Sequence, residues 1–226
     1  PQIYNSIRCE MSKNRIVIID DHEIFIQGLS FLIGRENDFE VVGTALNFFD
    51  AEKLVKELQP DLAIIDLNLG DKDGLELIQL FTEKYPRTKI LVLSMMEERY
   101  YAQRCLACGA RGYIMKAMAA DTVISAIKTV LAGKIWLSDT EQSRYINSLF
   151  HQPGQNLAGK DLIKTLTNRQ LQIFRMLGSG QGTIEIANAL SLSSKTVEAH
   201  KEQLKKKLNC KSAQELLQLA ISWSKE

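Results

Sequence analysis

No stretch of this sequence is apolar for long enough to cross a bilayer. The longest runs, such as Ile16-Val17-Ile18-Ile19, span four residues, where a membrane helix needs roughly twenty. The first ten residues hold no apolar block of the length a secretory signal needs. They precede the first methionine, Met11, and residues 1–10 are set outside the fold. Cysteine is scarce. Cys9, Cys105, Cys108 and Cys210 are too few and too scattered for a disulfide framework, which points to a reducing cytoplasm. Cys105 and Cys108 do spell C-x-x-C, but inside an amphipathic stretch and with no second ligand pair. They are expected to pack as small apolar residues rather than to bind metal or exchange electrons. Internal repeats and low-complexity tracts are absent as well.

What is present is the composition of an ordinary soluble protein, 45% hydrophobic and 24% charged over 226 residues, enough for two domains with separate cores. The formal net charge of +1 conceals an asymmetry. Residues 1–159 carry 17 Lys and Arg against 21 Asp and Glu, a net of −4; residues 160–226 carry 11 against 6, a net of +5. An acidic first part and a basic last part suit domains with different partners.

The first part alternates short apolar runs with amphipathic stretches. The runs Arg15–Ile19, Phe39–Gly43, Leu62–Ile65, Ile90–Leu93 and Gly112–Met115 have the nearly continuous apolar character of strands covered on both faces. Between them, Phe25, Leu29, Leu32 and Ile33, and later Val123, Ile127, Val130 and Leu131, recur at helical spacing. Five strand–helix units predict a doubly wound, five-stranded parallel α/β domain over residues 13–133. A linker with a helix at Asp139–Phe150 and a polar stretch from His151 to Asn156 follows over 134–165. Residues 166–224 contain no strand pattern and predict a small all-α domain. Thr167 with Gln170 opens a first helix that buries Leu171, Ile173, Phe174 and Leu177. A short helix at Thr183–Leu190, a turn at Ser191–Leu192 and a longer helix from a Ser193 cap to about Leu208 follow, which is a helix-turn-helix. Ser212 and Glu215 open a last helix with Ala213, Leu216, Leu217 and Ala220 on one side.

In a doubly wound sheet, ligands sit beyond the carboxyl ends of the strands. The residues there are Asp20 and Asp21 after the first strand, Asp66 after the third, Ser94 after the fourth and Lys116 after the fifth. Carboxylates converging on one edge repel unless a cation lies between them, and all-oxygen ligands suit Mg²⁺. A lysine and a hydroxyl at the same place suit phosphoryl oxygens. A single Asp at a strand end is ordinarily a turn former; five suitable residues at consecutive strand ends argue for a site. Around them, Ile18-Ile19-Asp20-Asp21-His22, Asp66-Leu67-Asn68-Leu69 with Gly74, Leu93-Ser94 and Gly112-Tyr113-Ile114-Met115-Lys116 resemble the receiver domain of two-component response regulators. That resemblance implies that Asp66 accepts a phosphoryl group from a sensor histidine kinase. It implies that Asp20, Asp21, Asp66 and the Asn68 carbonyl hold Mg²⁺, that Ser94 and Lys116 contact the phosphoryl oxygens, and that Tyr113 moves inward with Ser94 on activation. Two positions depart from the family pattern: Gly70 stands where Pro is usual, predicting a looser loop, and Ala117 follows Lys116 where Pro is common.

Farther on, Leu166-Thr167-Asn168-Arg169-Gln170, Glu185-Ile186-Ala187 and Lys195-Thr196-Val197-Glu198-Ala199-His200 resemble the LuxR-type DNA-binding domain, and the whole chain resembles a NarL/FixJ-type response regulator. In the long helix Val197, Leu204 and Leu208 share a buried face. Lys195, Glu198, Ala199, Glu202 and Lys206 share the opposite one, which is suited to the major groove, with Thr196 beside it. Lys201, Lys205, Lys207 and Lys211 flank it for backbone phosphates, and His200 falls toward the packed side. Glu198, Glu202 and Ile184 stand where relatives often carry basic residues; Lys206, four residues beyond Glu202, is its expected ion-pair partner. The resemblance implies a homodimeric transcription factor acting on double-stranded promoter DNA and RNA polymerase, not a turnover enzyme. Two rivals share the motifs: a regulator that works without phosphate, and a phosphotransfer protein that has lost DNA binding.

Overall fold

The computed structural model describes residues 13–69, 72–150, 162–163 and 165–224. Two compact units divide the chain between Asn147 and Ser148. None of the helices described is long and apolar enough to cross a membrane.

The first unit is built on strands β1 (Asn14–Ile19), β2 (Phe39–Ala45), β3 (Leu62–Ile65), β6 (Lys89–Ser94) and β7 (Gly112–Met115), with a short hairpin of β4 (Asn68–Leu69) and β5 (Lys72–Asp73) between the third and fourth. The five longer strands are paired in the order β2-β1-β3-β6-β7, and every pairing is parallel. Helices α1 (Glu23–Gly34), α2 (Phe48–Leu58), α3 (Gly74–Lys84) and α4 (Glu98–Ala107) supply the crossovers, and α5 (Ala120–Leu131) follows β7. Their apolar stripes explain the layering. Ile26, Leu29 and Ile33 of α1 and Val123, Ile127 and Val130 of α5 pack on Ile16, Ile18, Leu62, Ile64, Leu91 and Leu93, alternate residues of the sheet. Phe25 and Leu32, which share that helical spacing, are partly buried and pack against this core. Val17, Ile19, Ala63, Ile65 and Val92 are just as buried and project to the other face, because side chains alternate along a strand. Cys105 is buried in α4 as a packing residue, and its burial pushes the thiol up from its ordinary pKa, away from reactive thiolate.

Two features of this unit lie outside the strand–helix pattern. The β4–β5 hairpin directly follows the Asp66 strand; its tip, including Gly70, lies outside the described residues. After α5, Trp136 forms a parallel bridge with Gly112, exchanging hydrogen bonds with Tyr113 and Arg111 along the edge of β7. Helix α6 (Asp139–Phe150) occupies the expected span. The polar stretch from His151 to Asn156 and residues 1–10 fall outside the described residues.

The second unit contains α7 (Asn168–Gly178), α8 (Thr183–Ala189), α9 (Ser194–Lys207) and α10 (Ala213–Ser224). Thr167 and Gln170 form the reciprocal cap: the Thr167 hydroxyl accepts from the Gln170 amide at 3.2 Å, and the Gln170 side-chain oxygen accepts from the Thr167 amide at 3.1 Å. Ser193 caps α9 by accepting from the Thr196 amide at 3.0 Å. Leu171, Ile173, Phe174 and Leu177 are buried, as are Ile186, Val197, Leu204, Leu216 and Ala220 of the other three helices. Gly178 permits the close approach of α7 to α10, since a Cβ there would stand 2.5 Å from the Ala220 carbonyl oxygen. Leu217 is 39% exposed, contrary to expectation. It lies one residue, about 100° of helix rotation, away from the Leu216–Ala220 line that faces α7.

Candidate functional site

The chain runs from β1 outward to β2 and then crosses back to β3 on the other side of β1. This reversal opens a crevice at the carboxyl ends of β1 and β3, and it is where Asp20 and Asp66 emerge. Both are buried, at 2% and 3% exposure, while Asp21 beside them reaches solvent. Lys116, following β7, brings its ammonium to 2.5 Å from Asp20 Oδ2 and 2.7 Å from Asp66 Oδ2. Asp66 Oδ1 accepts from the Asn68 amide at 3.3 Å. Gly74 at the start of α3 holds this loop closely. Its amide donates to the Leu67 carbonyl at 3.0 Å, and a Cβ there would stand 2.6 Å from Leu67 Cα and 2.8 Å from the Asp66 carbonyl oxygen.

Burial pushes the Asp66 carboxyl up from the ordinary carboxylate range, against the pull of Lys116 and with the help of the Asp20 charge. For Lys116, burial works to lower the pKa, but the Asp66 and Asp20 carboxylates overcome it and hold the ammonium above its usual value. The lysine therefore enters any chemistry here as a cation. Phe25 of α1 places its ring centroid 4.4 Å from Nζ, a cation–π contact added to the two carboxylates. Helical periodicity identifies Phe25 as a core residue; nothing in the spacing links it to Lys116.

One ligand atom each from Asp20, Asp21, His22 and Asp66 can be chosen so that all lie within 4.8 Å of one another. Three of the four are carboxylates, the donor type that hard divalent cations prefer. His22, at the entry to α1, stands beside the acidic pair: its Nδ1 lies 3.1 Å from Asp20 Oδ1 and 2.7 Å from Asp21 Oδ1. Its amide also donates to Asp20 Oδ1 at 2.9 Å. On the other side of the crevice, Ser94 is buried at 1% exposure, and its hydroxyl works to lower the pKa of both Asp66 and Tyr113, against the larger effect of their burial. Tyr113 itself is buried and donates its hydroxyl to the Met96 carbonyl at 2.8 Å. The structure thus gathers Asp20, Asp21, Asp66, Asn68, Ser94 and Lys116 at one sheet edge, with Tyr113 directly behind Ser94.

In the second unit, α9 divides as its periodicity predicts. Val197, Leu204 and Leu208 are buried; Lys195, Thr196, Glu198, Ala199, Glu202 and Lys206 are exposed. The charges are arranged less simply. Glu198 Oε1 accepts from Lys201 Nζ at 2.7 Å and from the Thr183 hydroxyl at 2.5 Å, and Lys201 also donates to Thr183 at 3.0 Å. These bonds hold the Glu198 carboxyl below its usual pKa. Glu202 pairs with Lys205 at 2.7 Å rather than with Lys206, since positions three apart also meet on a helix. Lys207 donates to the Thr165 carbonyl and the Gln170 side chain. Three of the lysines expected to flank the groove-facing surface are therefore engaged within the protein. Lys195 and Lys206 have no ion pair among the described residues. Thr183 is not singled out by the sequence; a hydroxyl fifteen residues upstream of Glu198 leaves no periodic trace.

Comparison with known proteins agrees with both halves. Residues 16–128 match the response regulator receiver domain, and residues 164–220 match the bacterial regulatory proteins of the luxR family. The chain is 36% identical over 209 residues to the oxygen regulatory protein NreC of Staphylococcus carnosus (strain TM300), covering 92% of this chain and 96% of that one. A LuxR-family two-component response regulator from Aurantimonas sp. SI85-9A1 is similar in structure, with TM-score 0.57 and 28% identity over 62% of this chain and all of the other. RcsB from Salmonella enterica serovar Typhimurium, bound to promoter rprA, aligns over 93% of this chain and 99% of its own, with TM-score 0.57 and 23% identity; at that identity the likeness concerns the fold. The chain belongs to the response regulators that join a receiver domain to a LuxR-type DNA-binding domain, a family of transcription factors rather than metabolic enzymes.

Proposed function

We propose that Asp66 accepts a phosphoryl group from a sensor histidine kinase, and that this modification controls homodimerisation and binding of the second unit to promoter DNA, where the protein acts on RNA polymerase. The domain limits 13–133 and 166–224, with 134–165 as connection, belong to the same proposal. The observation that carries it is the Lys116 ammonium lying between two buried carboxylates at the crevice where β1 and β3 diverge. An Asp66 oxygen attacks the phosphorus of the donor's phosphohistidine. The new P–O bond forms as the P–N bond breaks, and the electron pair leaves with the imidazole. Lys116 then exchanges its bond to the carboxylate for one to a phosphoryl oxygen, and Ser94 donates its hydroxyl to another. Asp20, Asp21, Asp66 and the Asn68 carbonyl would hold Mg²⁺. When bound, that ion neutralises charge on the phosphoryl oxygens and between the carboxylates.

On DNA, α9 is the element proposed to enter the major groove, with Lys195, Thr196, Glu198, Ala199, Glu202 and Lys206 toward the bases and Lys201 and Lys205 toward the backbone. The deciding experiment is labelling with a small-molecule phosphodonor and Mg²⁺, read by mass spectrometry. One phosphate should be added, and it should be lost both in Asp66→Ala and in the presence of EDTA. Equal labelling of the variant would overturn the assignment.

A further inference from the structure

At the opposite end of the sheet from the acidic crevice lies a cavity of about 300 Å³, formed where the α3–β6 connection, the start of β7 and the end of α5 converge. Arg87, Lys89 and Arg111 line it, and no acidic residue does. The concentration of positive charge stands out in a part of the chain that carries a net charge of −4 over residues 1–159. Arg87 and Arg111 are exposed, and neither has an ion-pair partner among the described residues. Lys89 donates one hydrogen bond to the Leu131 carbonyl at the end of α5, at 2.6 Å; an ammonium has two more to give. Like charges held around one concavity repel each other, so the arrangement costs stability unless an anion lies among them.

The walls suit a compact, hydrogen-bonding guest. Gly109 and Gly133 border the cavity, with φ of +107° and +82°, so backbone rather than side chains forms part of its surface. The Thr82 and Thr88 hydroxyls, which donate to backbone carbonyls, fix the floor. The backbone around the cavity is tied to the sheet by Arg111 N–H to Ile90 and by Trp136 N–H to Arg111. Guanidinium forks bind tetrahedral oxyanions through paired N–H bonds.

The geometry points to a second anion site on the receiver, one that takes a small phosphate-bearing molecule and is separate from the phosphorylation crevice in both place and charge. It requires no metal, whereas the crevice is acidic and repels free anions. A ligand here would bind along β7, whose far end carries Lys116, so its occupancy would be felt by the strand that positions the phosphoryl-contacting lysine.

The test is titration of the full-length protein with inorganic phosphate, pyrophosphate and ATP, without Mg²⁺, in EDTA and at constant ionic strength. It is followed by amide shifts in NMR and by calorimetry. Saturable shifts should concentrate at Gly109, Arg111 and Gly133. The double variant Arg87→Gln/Arg111→Gln should melt no lower than the wild type without ligand, since a like-charge repulsion is relieved, and should bind about tenfold more weakly or worse. Lys195→Gln, in the DNA-binding unit, controls for anions collecting there and should leave the shifts intact. Saturation by all three probes identifies the phosphate group itself as the ligand, and saturation by ATP alone identifies a nucleotide; both support the site. Shifts confined to the second unit, or unaltered affinity in the double variant, would overturn it.

Discussion

Met96 shows how one side chain can set the time scale of a signal. It lies two residues beyond Ser94, is buried at 8% exposure, and its main chain both donates toward the Ser94 hydroxyl and accepts from Tyr113. From its place two residues beyond Ser94, we propose that its thioether borders the path by which water approaches phosphorylated Asp66. A thioether is at best a weak acceptor and orients a water poorly. Phosphorylated protein should accordingly decay slowly, and Met96→Glu should quicken the decay, short of the roughly hundredfold that a positioned general base contributes. Loss of phosphate followed by gel mobility decides it; an unchanged rate removes Met96 from the mechanism. His200 poses a residue-scale question in the other unit. Its Nδ1 is buried without a hydrogen-bond partner among the described residues, and burial, with the Arg169 charge, holds its pKa below the usual value. A histidine whose folded pKa is depressed binds fewer protons in the native state. Its contribution to stability is therefore present above the unfolded value of about 6.5 and lost as pH falls through the folded one. Melting curves between pH 7.5 and 5 should show a loss of stability on acidification that His200→Gln reduces.

At the scale of elements, α9, the helix proposed to enter the groove, is the part whose behaviour depends on more than its own periodicity. Glu198 ties α9 to the first residue of α8 through Thr183 while engaging Lys201. Replacing it with Lys therefore does two things: it removes a carboxylate from the surface proposed to face phosphates, and it frees Lys201 from its ion pair. Glu198→Lys should raise affinity for arbitrary DNA and steepen the fall of log K with log salt by about 0.9 for each additional phosphate neutralised. If Glu198 accepts from a cytosine amino group, discrimination at that base should also fall by roughly 1–3 kcal/mol. Salt-titrated binding to specific and random duplexes reads both, and no change in either would mean that this face of α9 does not meet DNA. The α9 face was legible in the sequence because Val197, Leu204 and Leu208 recur at helical spacing. So were the five strands, since a strand covered on both sides is apolar throughout, and so was the crevice, since the topology of such sheets puts ligands at strand ends. What escaped the sequence depends on tertiary approach. The β4–β5 hairpin is two residues per strand, too short for a period to show. Trp136 joins β7 by a single bridge. The choice of Lys205 over Lys206 as partner for Glu202 is a matter of rotamers on one helix.

For the molecule as a whole, the central question is how a change of charge at Asp66 reaches a basic unit elsewhere in the chain. The charge division, −4 over residues 1–159 and +5 over 160–226, gives the second unit a weak attraction for any polyanion. Within α9, however, two carboxylates engage Lys201 and Lys205, which limits how much of that attraction a single copy can use. A monomer with few free phosphate-binding groups should bind DNA weakly and with a shallow salt dependence. Dimerisation joins two such surfaces, so the second binding event becomes intramolecular and proceeds at a high effective concentration without any new interaction. Phosphodonor with Mg²⁺ should therefore shift the full chain from monomer to dimer in sedimentation. On a two-half-site duplex it should about double the slope of log K against log salt, since that slope counts phosphates neutralised. Asp66→Ala should remain monomeric and keep the shallow slope under the same treatment. A wild-type protein that dimerises and binds with the steep slope in the absence of phosphodonor would transfer control from phosphate to protein contacts, and would leave the acidic crevice without a regulatory task.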